Sequence, residues 1–315
     1  MFNKKNSLIL LASIGLLSFT ISCSNDDNAH ASTTTPEIVP PGVPVLSEHI
    51  WLSTEAFDNN KNLFDLNTSP VSTYSGYTYY KPDGTFRVVD ANNRTKLFGT
   101  WSLIENNTKK QLSIYKSDNT KIDSINNELN IYKVEANKIF DVVALNNSLF
   151  TYRINDDANP GKYYDLVNRV DNHAEPKIPA EDLAAVNWKT VKALDVSNGI
   201  ENAVILDMNK YPASASSGIS SFKNMNSNAY FPKNTDGNYV NGNFTVLNSE
   251  NLEERVRYGD WYVSLDGKVL TIYLKTPQGE PNGIRKLNII ELTENKFVFE
   301  EDLNGTIVRF EQSPL

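Results

Sequence analysis

The sequence predicts an all-β protein built from two tandem antiparallel up-and-down β-barrels with a short helix-containing linker. Three observations carry that expectation. Gly99-Thr100-Trp101 recurs as Gly259-Asp260-Trp261. Around the first copy Leu97, Gly99, Trp101 and Leu103 share one side, and around the second Gly259, Trp261, Val263 and Leu265 do the same, the period of two that marks a half-buried strand. Each copy is followed by a turn and a matching strand, at residues 111–115 and 269–273. Short strands separated by Asn, Asp and Gly fill the rest, with no long amphipathic helix, which suits sheets that close to remove their edges. A chain of 315 residues holds two domains of about 100–150 residues, each large enough for its own core.

Residues 1–22 read as a lipoprotein signal peptide. Lys4 and Lys5 form its basic start, and residues 8–21 form an apolar run short of a bilayer span. The run ends at Thr20-Ile21-Ser22-Cys23, which resembles the cleavage site of bacterial lipoproteins, where the cysteine becomes the acylated first residue. The usual Leu three places before the cysteine is Thr20 here, and a plain signal peptide with an incidental cysteine is the alternative. Ser24-Asn25-Asp26-Asp27 resembles the signal that exports Bacteroidetes lipoproteins to the outside of the outer membrane; a solvated tether is the bland reading. Residues 23–45, rich in Ser, Thr and Pro, are expected to form a disordered tether.

The net charge is −8, and loss of Lys4 and Lys5 with the leader takes it to −10. Such a chain lacks the basic footprint of a nucleic-acid binder. Cys23 is the only cysteine, so an intramolecular disulfide and Cys-based zinc sites are excluded. The histidines, His30, His49 and His173, form no metal-binding spacing. No metal, cofactor, nucleophile motif or phosphate loop is indicated, and the protein is expected not to be an enzyme.

The first barrel is expected over 46–154. Trp51 opens it. Tyr74, Tyr77, Tyr79 and Tyr80 precede the turn Lys81-Pro82-Asp83-Gly84, in which Pro fixes one φ and Gly supplies a positive one. Further strands follow at 86–89, 97–103, 112–115, 129–134, 139–143 and 149–154. Asp123-Ser124-Ile125 fits a short O-glycosylation pattern, though three residues match often by chance. The linker, 155–187, holds residues 163–167 as a further strand or lid. Asp171, His173 and Glu175 bring metal-ligating types together without a second His or Cys to complete a site, so a solvated linker is the simpler reading. A short helix at 179–186 has Pro in its first turn and acids near its N-terminus.

The second barrel, 188–315, opens on Trp188, the counterpart of Trp51. Its looser, Ser/Gly/Asn-rich stretch over 211–245, with Tyr230, Phe231, Tyr239 and Phe244, replaces the tyrosine hairpin and is expected to be mobile. Asp266-Gly267 and Asn304-Gly305 are hairpin signals.

Both copies resemble the lipocalin-like domains of bacterial surface lipoproteins, through Gly-x-Trp in a strand, an early Trp, and a final strand with Arg153 or Arg309 among apolar neighbours. Gly76-Tyr77-Thr78-Tyr79-Tyr80, Asp83-Gly84-Thr85-Phe86, Tyr164-Asp165 and His173-Ala174-Glu175-Pro176 further resemble an uncharacterised Bacteroidetes lipoprotein family, a domain of unknown function (DUF4822-like) with lipocalin-like repeats. The resemblance implies tandem lipocalin-like barrels. It also implies that Arg153 covers Trp51 and Arg309 covers Trp188, by cation–π contact on the order of 0.5–2 kcal/mol. Trp51, Trp101, Arg153, Trp188, Trp261 and Arg309 are therefore expected to be structural.

Tyr77 and Tyr79 share one face of their strand, Tyr74 and Tyr80 the other. One pair lines a cavity and the other a rim, or the interior is packed solid. Tyr77, Tyr79, Tyr230 and Tyr239 are the candidate ligand-binding residues, and Cys23 the lipidation site. The expected function is a lipid-anchored outer-membrane lipoprotein, exposed on the cell surface, that binds a small apolar or amphipathic molecule in a barrel. The alternative is an interaction module that engages a glycan or an envelope protein through its outer faces.

Overall fold

The structure, a computed structural model, describes residues 42–118, 120, 130–207, 218–224, 229–248 and 254–315. Cys23, residues 23–41 of the expected tether, the Asp123-Ser124-Ile125 pattern and parts of the 211–245 stretch lie outside the described residues; residues 42–45, expected in the tether, instead belong to a helix with Gly42 buried.

The chain begins with a short helix, α1 (Gly42–Ser47), and runs through β1 (Ile50–Asp58), β2 (Leu63–Phe64), α2 (Val71–Tyr74), β3 (Tyr77–Tyr80), β4 (Thr85–Val89), β5 (Thr95–Ile104), β6 (Lys109–Ser117), β7 (Tyr132–Leu145), β8 (Leu149–Asn155) and β9 (Tyr163–Asp171). β1 pairs antiparallel with β3, each strand from β3 to β8 pairs antiparallel with the next, and β9 pairs back onto β1. Eight strands thus close a barrel, with β2 an added flap on β1. The second half repeats the plan: α3 (Pro179–Ala184), β10 (Asn187–Asp195), β11 (Val204–Ile205), β12 (Ile219–Asn224), β13 (Gly242–Leu247), β14 (Arg255–Val263), β15 (Val269–Lys275), β16 (Pro281–Thr293), β17 (Lys296–Leu303) and β18 (Thr306–Pro314). There β18 returns to β10, and β11 is the flap.

The barrels match in detail. Both first strands carry a register shift near the same place, at Ser53/Glu55 and at Thr190/Lys192, where a bulge bends the strand around the barrel. The helix before each first strand plugs one end: Leu46 and Leu183 are fully buried. The indole N–H of Trp51 donates to the Leu46 carbonyl at 3.0 Å, and that of Trp188 to the Leu183 carbonyl at 2.9 Å. Asn304 and Gly305 both have positive φ, 57° and 92°, the conformation a two-residue hairpin turn needs.

The Gly-x-Trp motif has a packing cause. A Cβ on Gly99 would stand 1.9 Å from the Ser113 carbonyl oxygen, and one on Gly259 would stand 2.2 Å from that of Tyr273. The neighbouring strand presses against the backbone at both sites, leaving room only for hydrogen. Trp101 and Trp261 lie two residues on, in the barrel cores. Their indole N–H groups donate to the carbonyls of Lys81 (3.1 Å) and Lys223 (3.2 Å).

Three expectations need correction. Residues 163–167, for which the sequence leaves open a further strand or a lid within a linker from 155, form the strand, β9, which completes the first closure, so that barrel extends well past residue 154. Helix α3 is the plug of the second barrel: Ala180 and Leu183 belong to its core. Arg153 and Arg309 do not cover the early tryptophans. Tyr152 and Ile154 face the first core, so alternation sends Arg153 outward, where it pairs with Asp165 at 2.8 Å and stacks on Tyr163 at 3.8 Å. Arg309, flanked by core residues Val308 and Phe310, instead meets Glu300 at 2.8 Å.

The barrels are joined by a strap, residues 172–178, and by a shared aromatic contact. Phe98 of β5 packs into the core cluster of the second barrel. The Tyr132 hydroxyl lies 2.6 Å from the Tyr262 hydroxyl and accepts the Leu265 amide hydrogen bond at 3.0 Å.

The interior of the second barrel as candidate functional site

The two interiors differ in what fills them. In the first, alternation along β6 turns Lys110, Leu112 and Ile114 inward. Lys110 is fully buried, with its amine 3.1 Å from the Tyr152 ring centre, 4.9 Å from that of Phe140, 5.3 Å from Phe150 and 5.8 Å from Tyr80. It donates to the Tyr80 hydroxyl at 3.2 Å. Among the described residues no carboxylate pairs with it, and desolvation holds its pKa well below the usual lysine value. Tyr74, at the end of α2, closes over Phe140 at 5.1 Å. Lysine and aromatic rings together occupy this barrel.

The strand ladders identify the counterpart. Trp101 pairs with Leu112 as Trp261 pairs with Ile272, so Lys110 corresponds to Leu270. With leucine there, the second barrel keeps a slot of about 450 Å³ of unfilled space, counting the part open to solvent. The enclosed cavity is about 30 Å³, so the space is narrow. Phe222, Phe244, Leu270, Ile272, Leu287 and Phe299 give it apolar walls.

Polar groups lie toward its two ends. Arg257, Arg285 and Glu301 line one end. Arg285 grips Glu301 with both its Nε and a terminal nitrogen, the bidentate fork that satisfies one carboxylate fully. Arg257 forms no ion pair among the described residues, and burial, then the neighbouring Arg285, press its pKa down. Two guanidiniums with one carboxylate leave one unbalanced positive charge. Toward the α3 plug sits Gln312, 4% exposed. Its Nε2 donates to the Thr190 hydroxyl at 3.0 Å, while its Oε1 has no partner. A buried acceptor without a partner costs about 1–3 kcal/mol, and a water or a ligand donor would satisfy it.

The candidate tyrosines lie elsewhere. Tyr80 and Tyr74 face the first core, which turns Tyr77 and Tyr79 outward beneath the strap. Tyr77 stacks on His173 at 4.2 Å, and the Tyr79 hydroxyl donates to the Ala174 carbonyl at 3.5 Å. Tyr230 and Tyr239 sit at the junction: Tyr230 donates to Glu175, and Tyr239 packs on Tyr132 at 5.6 Å and Tyr262 at 5.3 Å. Tyr230 joins the edge of the second core, and none of the four lines the slot. The Asp171, His173 and Glu175 side chains also diverge. The Asp171 carboxylate accepts from the His173 amide, His173 Nε2 meets Asn93 at 3.0 Å, and Glu175 takes Lys81 and Tyr230. Among the described residues no group of His, Cys, Asp and Glu is placed to hold a metal ion.

Arg257, Arg285, Glu301 and Gln312 were not singled out from the sequence, yet a signal was present. Extending the Gly259, Trp261, Val263 alternation back by two residues reaches Arg257. The same step from Leu287 reaches Arg285, and from Phe299 forward reaches Glu301. Charge on an inward row of a barrel strand marks an interior that is not simply packed.

Closed, eight-stranded, up-and-down antiparallel barrels of this kind define the lipocalin-like class. Residues 43–178, which hold the first barrel and the strap, match the family model described as "Domain of unknown function (DUF4822)". No curated protein matches the chain. A similar solved structure is that of a lipocalin-like protein from Bacteroides uniformis ATCC 8492. It is 14% identical, with 42% of this chain and 99% of that chain covered, at a TM-score of 0.25. The fold assignment rests on the strand pairing and not on that score.

Proposed function

We propose that the protein is a non-catalytic binding protein of the cell envelope, whose second barrel takes up a small amphipathic molecule while the first serves as a filled scaffold. The observation that carries this is the contrast of interiors. Lys110 and its rings occupy one barrel; the other keeps an apolar slot with Arg257 at one end and the unpartnered Gln312 oxygen toward the other. Apolar walls with a few convergent polar groups are the usual makeup of a small-molecule site. The trough between the barrels is broader, but charges of both signs line it, among them Arg94, Lys177, Asp182 and Glu291. Ile289, Ile290 and Leu292 lie among these charges, so its apolar surface is interrupted where that of the slot is continuous.

Native mass spectrometry of protein purified from its own host tests the reading. A bound mass is expected, and it should vanish in Leu287→Trp, which fills the slot. A bare chain in both proteins would overturn it. Anchoring through an acylated Cys23 in the outer membrane is part of the same proposal. Cys23→Ala should then release soluble protein, and continued membrane retention would remove the anchor.

A further inference from the structure

One outer face is covered in the first barrel and open in the second. The ladders set the correspondence: Arg87 pairs with Phe98 as Thr245 pairs with Tyr258, and Thr85 with Thr100 as Asn243 with Asp260. In the first barrel this face docks the rest of the molecule. Phe98 packs on Phe231 at 6.3 Å, Tyr115 on Phe231 at 5.6 Å, and Arg87 donates to the strap carbonyls of Pro176 and Lys177. In the second barrel the same face is a groove of about 400 Å³, rimmed by Pro277 and Gly279 of the turn after β15, a size within the ~300–1,000 Å³ usual for small-molecule sites. Where the first barrel has Phe98, Thr100, Thr85 and Tyr115, the second has Tyr258, Asp260, Asn243 and Lys275. Every exchange is toward polarity or charge, which suits a hydrophilic ligand better than another barrel.

The polar groups of the groove are held in place. Asp260, 8% exposed, accepts from Asn243 Nδ2 at 3.1 Å and from Lys275 Nζ at 2.6 Å. Among the described residues the Asn243 amide oxygen and the other N–H groups of Lys275 keep their hydrogen-bonding capacity. A fixed acceptor beside a fixed donor matches neighbouring hydroxyls of a sugar. Tyr258 lies two residues from Asp260, about 7 Å along β14. It is half-buried, and among the described residues its ring meets no other ring and its hydroxyl has no partner. It offers an apolar ring face with a polar tip, a platform for the C–H face of a pyranose.

Charge adds a preference of sign. Val246 pairs with Arg257 but Leu247 with Arg255, skipping Val256. This bulge re-aims Arg255 from the inward row of Arg257 to the outer face, where it lines the groove. Lys223 stands opposite Asn243 on the other flank. Both cations are exposed and form no ion pair among the described residues. Being hydrated they require no counter-ion, but they focus positive potential over the groove. Three cations against one carboxylate leave the groove two net positive charges, in a chain of net charge −8.

We propose that this outer groove is a second ligand site, for an acidic saccharide: a pyranose bearing a carboxylate or a sulfate lies on Tyr258, bonds through its hydroxyls to Asn243 and Lys275, and turns its anionic group toward Arg255 or Lys223. The site lies across the barrel wall from the interior slot and does not depend on it.

Titration calorimetry on the full mature chain tests the assignment, with uronate and sulfated oligosaccharides each paired with its methyl-esterified or desulfated form. At low salt an acidic member is expected to bind at least about 10-fold more tightly than its neutral partner, and the preference should shrink at high salt. Tyr258→Ala should weaken acidic and neutral forms alike, while Tyr258→Phe keeps the ring and most of the binding. Lys223→Gln with Arg255→Gln should bring the acidic form to the level of the neutral one and leave the neutral one unchanged. Thermal melting reports whether each variant folds, and Tyr258→Phe with the Gln pair keeps the test decisive if Tyr258→Ala does not. Leu287→Trp, which fills the slot, should leave saccharide binding unchanged; loss of binding there would place the sugar inside the barrel and overturn the proposal. Equal binding of acidic and neutral forms would overturn the acidic assignment. Inorganic sulfate binding as tightly as the sulfated sugars would reduce the groove to an ion patch and overturn the saccharide. Failure of the whole panel would overturn the site and leave this face to a protein neighbour, as in the first barrel.

Discussion

The amine nitrogen of Lys110 stands 3.1 Å from the centre of the Tyr152 ring, at a position where the second barrel has Leu270. Ring faces attract a cation by about 2 kcal/mol when desolvated, but full burial of an ammonium costs several kcal/mol. Burial wins, and the pKa falls well below 10.5. The unfolded chain regains the ordinary lysine value. Between the two values the unfolded state therefore binds more protons, and stability declines as pH falls, by up to about 1.4 kcal/mol per pH unit. Urea denaturation between pH 7 and 9.5 should show the wild type gaining stability with pH relative to Lys110→Met. The variant should be the more stable protein at pH 7, with the gap narrowing toward pH 9.5. Parallel pH curves would show that Lys110 keeps its proton when buried.

The glycines of the repeated motif give a second expectation. Gly259 has no room for a Cβ, because the Tyr273 carbonyl oxygen is 2.2 Å from where it would lie. Gly259→Ala must push β14 and β15 apart and is expected to lose about 3 kcal/mol or more, a size that marks disrupted packing. Gly279 has a φ of 93° with nothing within 4 Å of a Cβ, so Gly279→Ala carries only the backbone penalty, about 1–2 kcal/mol. Chemical denaturation of the pair separates the two causes, and equal losses would refute the close-approach account.

The barrels were legible in the sequence because their strands alternate so regularly: Leu97 to Leu103 and Gly259 to Leu265 each name one inner face. Asn304-Gly305 and Asp83-Gly84 named turns for the same local reason. The ends of the barrels were less legible. β9 closes against β1 more than a hundred residues away, and no local signal distinguishes a closing strand from an extended linker. The Arg153 and Arg309 roles failed on facing, since both side chains alternate away from the core that holds Trp51 and Trp188. The candidate tyrosines failed likewise: Tyr80 claims the interior, so Tyr79 cannot. The slot was hidden because it depends on which of two equivalent positions holds lysine or leucine, and that pairing appears only once the ladders are known.

The junction gives a third expectation. Tyr132 and Tyr262 belong to different barrels, and their hydroxyls lie 2.6 Å apart. The Tyr132 oxygen also takes the Leu265 amide, so Tyr132→Phe leaves that N–H buried without an acceptor, at a cost of about 1–3 kcal/mol. Tyr262 has a second acceptor in the Tyr230 carbonyl at 3.0 Å. In Tyr132→Phe the Tyr262 hydroxyl therefore keeps a bond, and a double-mutant cycle with Tyr262→Phe should show a coupling on the order of 1 kcal/mol. A coupling of zero would mean that the two hydroxyls do not meet in solution.

Glu175 on the strap is where three elements converge. Lys81 from the first barrel and Tyr230 from the second both donate to its carboxylate, and Arg87 approaches to 4.0 Å. Arg87 is only 2% exposed and otherwise relies on the Thr95 hydroxyl and the carbonyls of Pro176 and Lys177. Removing Glu175 therefore takes its nearest carboxylate from a buried cation, leaving only the weaker pull of Glu181, and the cost exceeds that of an exposed pair. Glu175→Ala is expected to lose about 2–3 kcal/mol and to open the strap to proteolysis, because residues 172–178 are held by these contacts and form no part of a strand ladder. Glu175→Gln keeps an acceptor for Tyr230 but not the charge, so it should fall between wild type and Glu175→Ala. Limited proteolysis with fragment mass analysis checks this directly: cleavage within the strap should rise from wild type through Gln to Ala. Equal rates in all three would show that the junction is held by its aromatic contact alone, with Glu175 incidental.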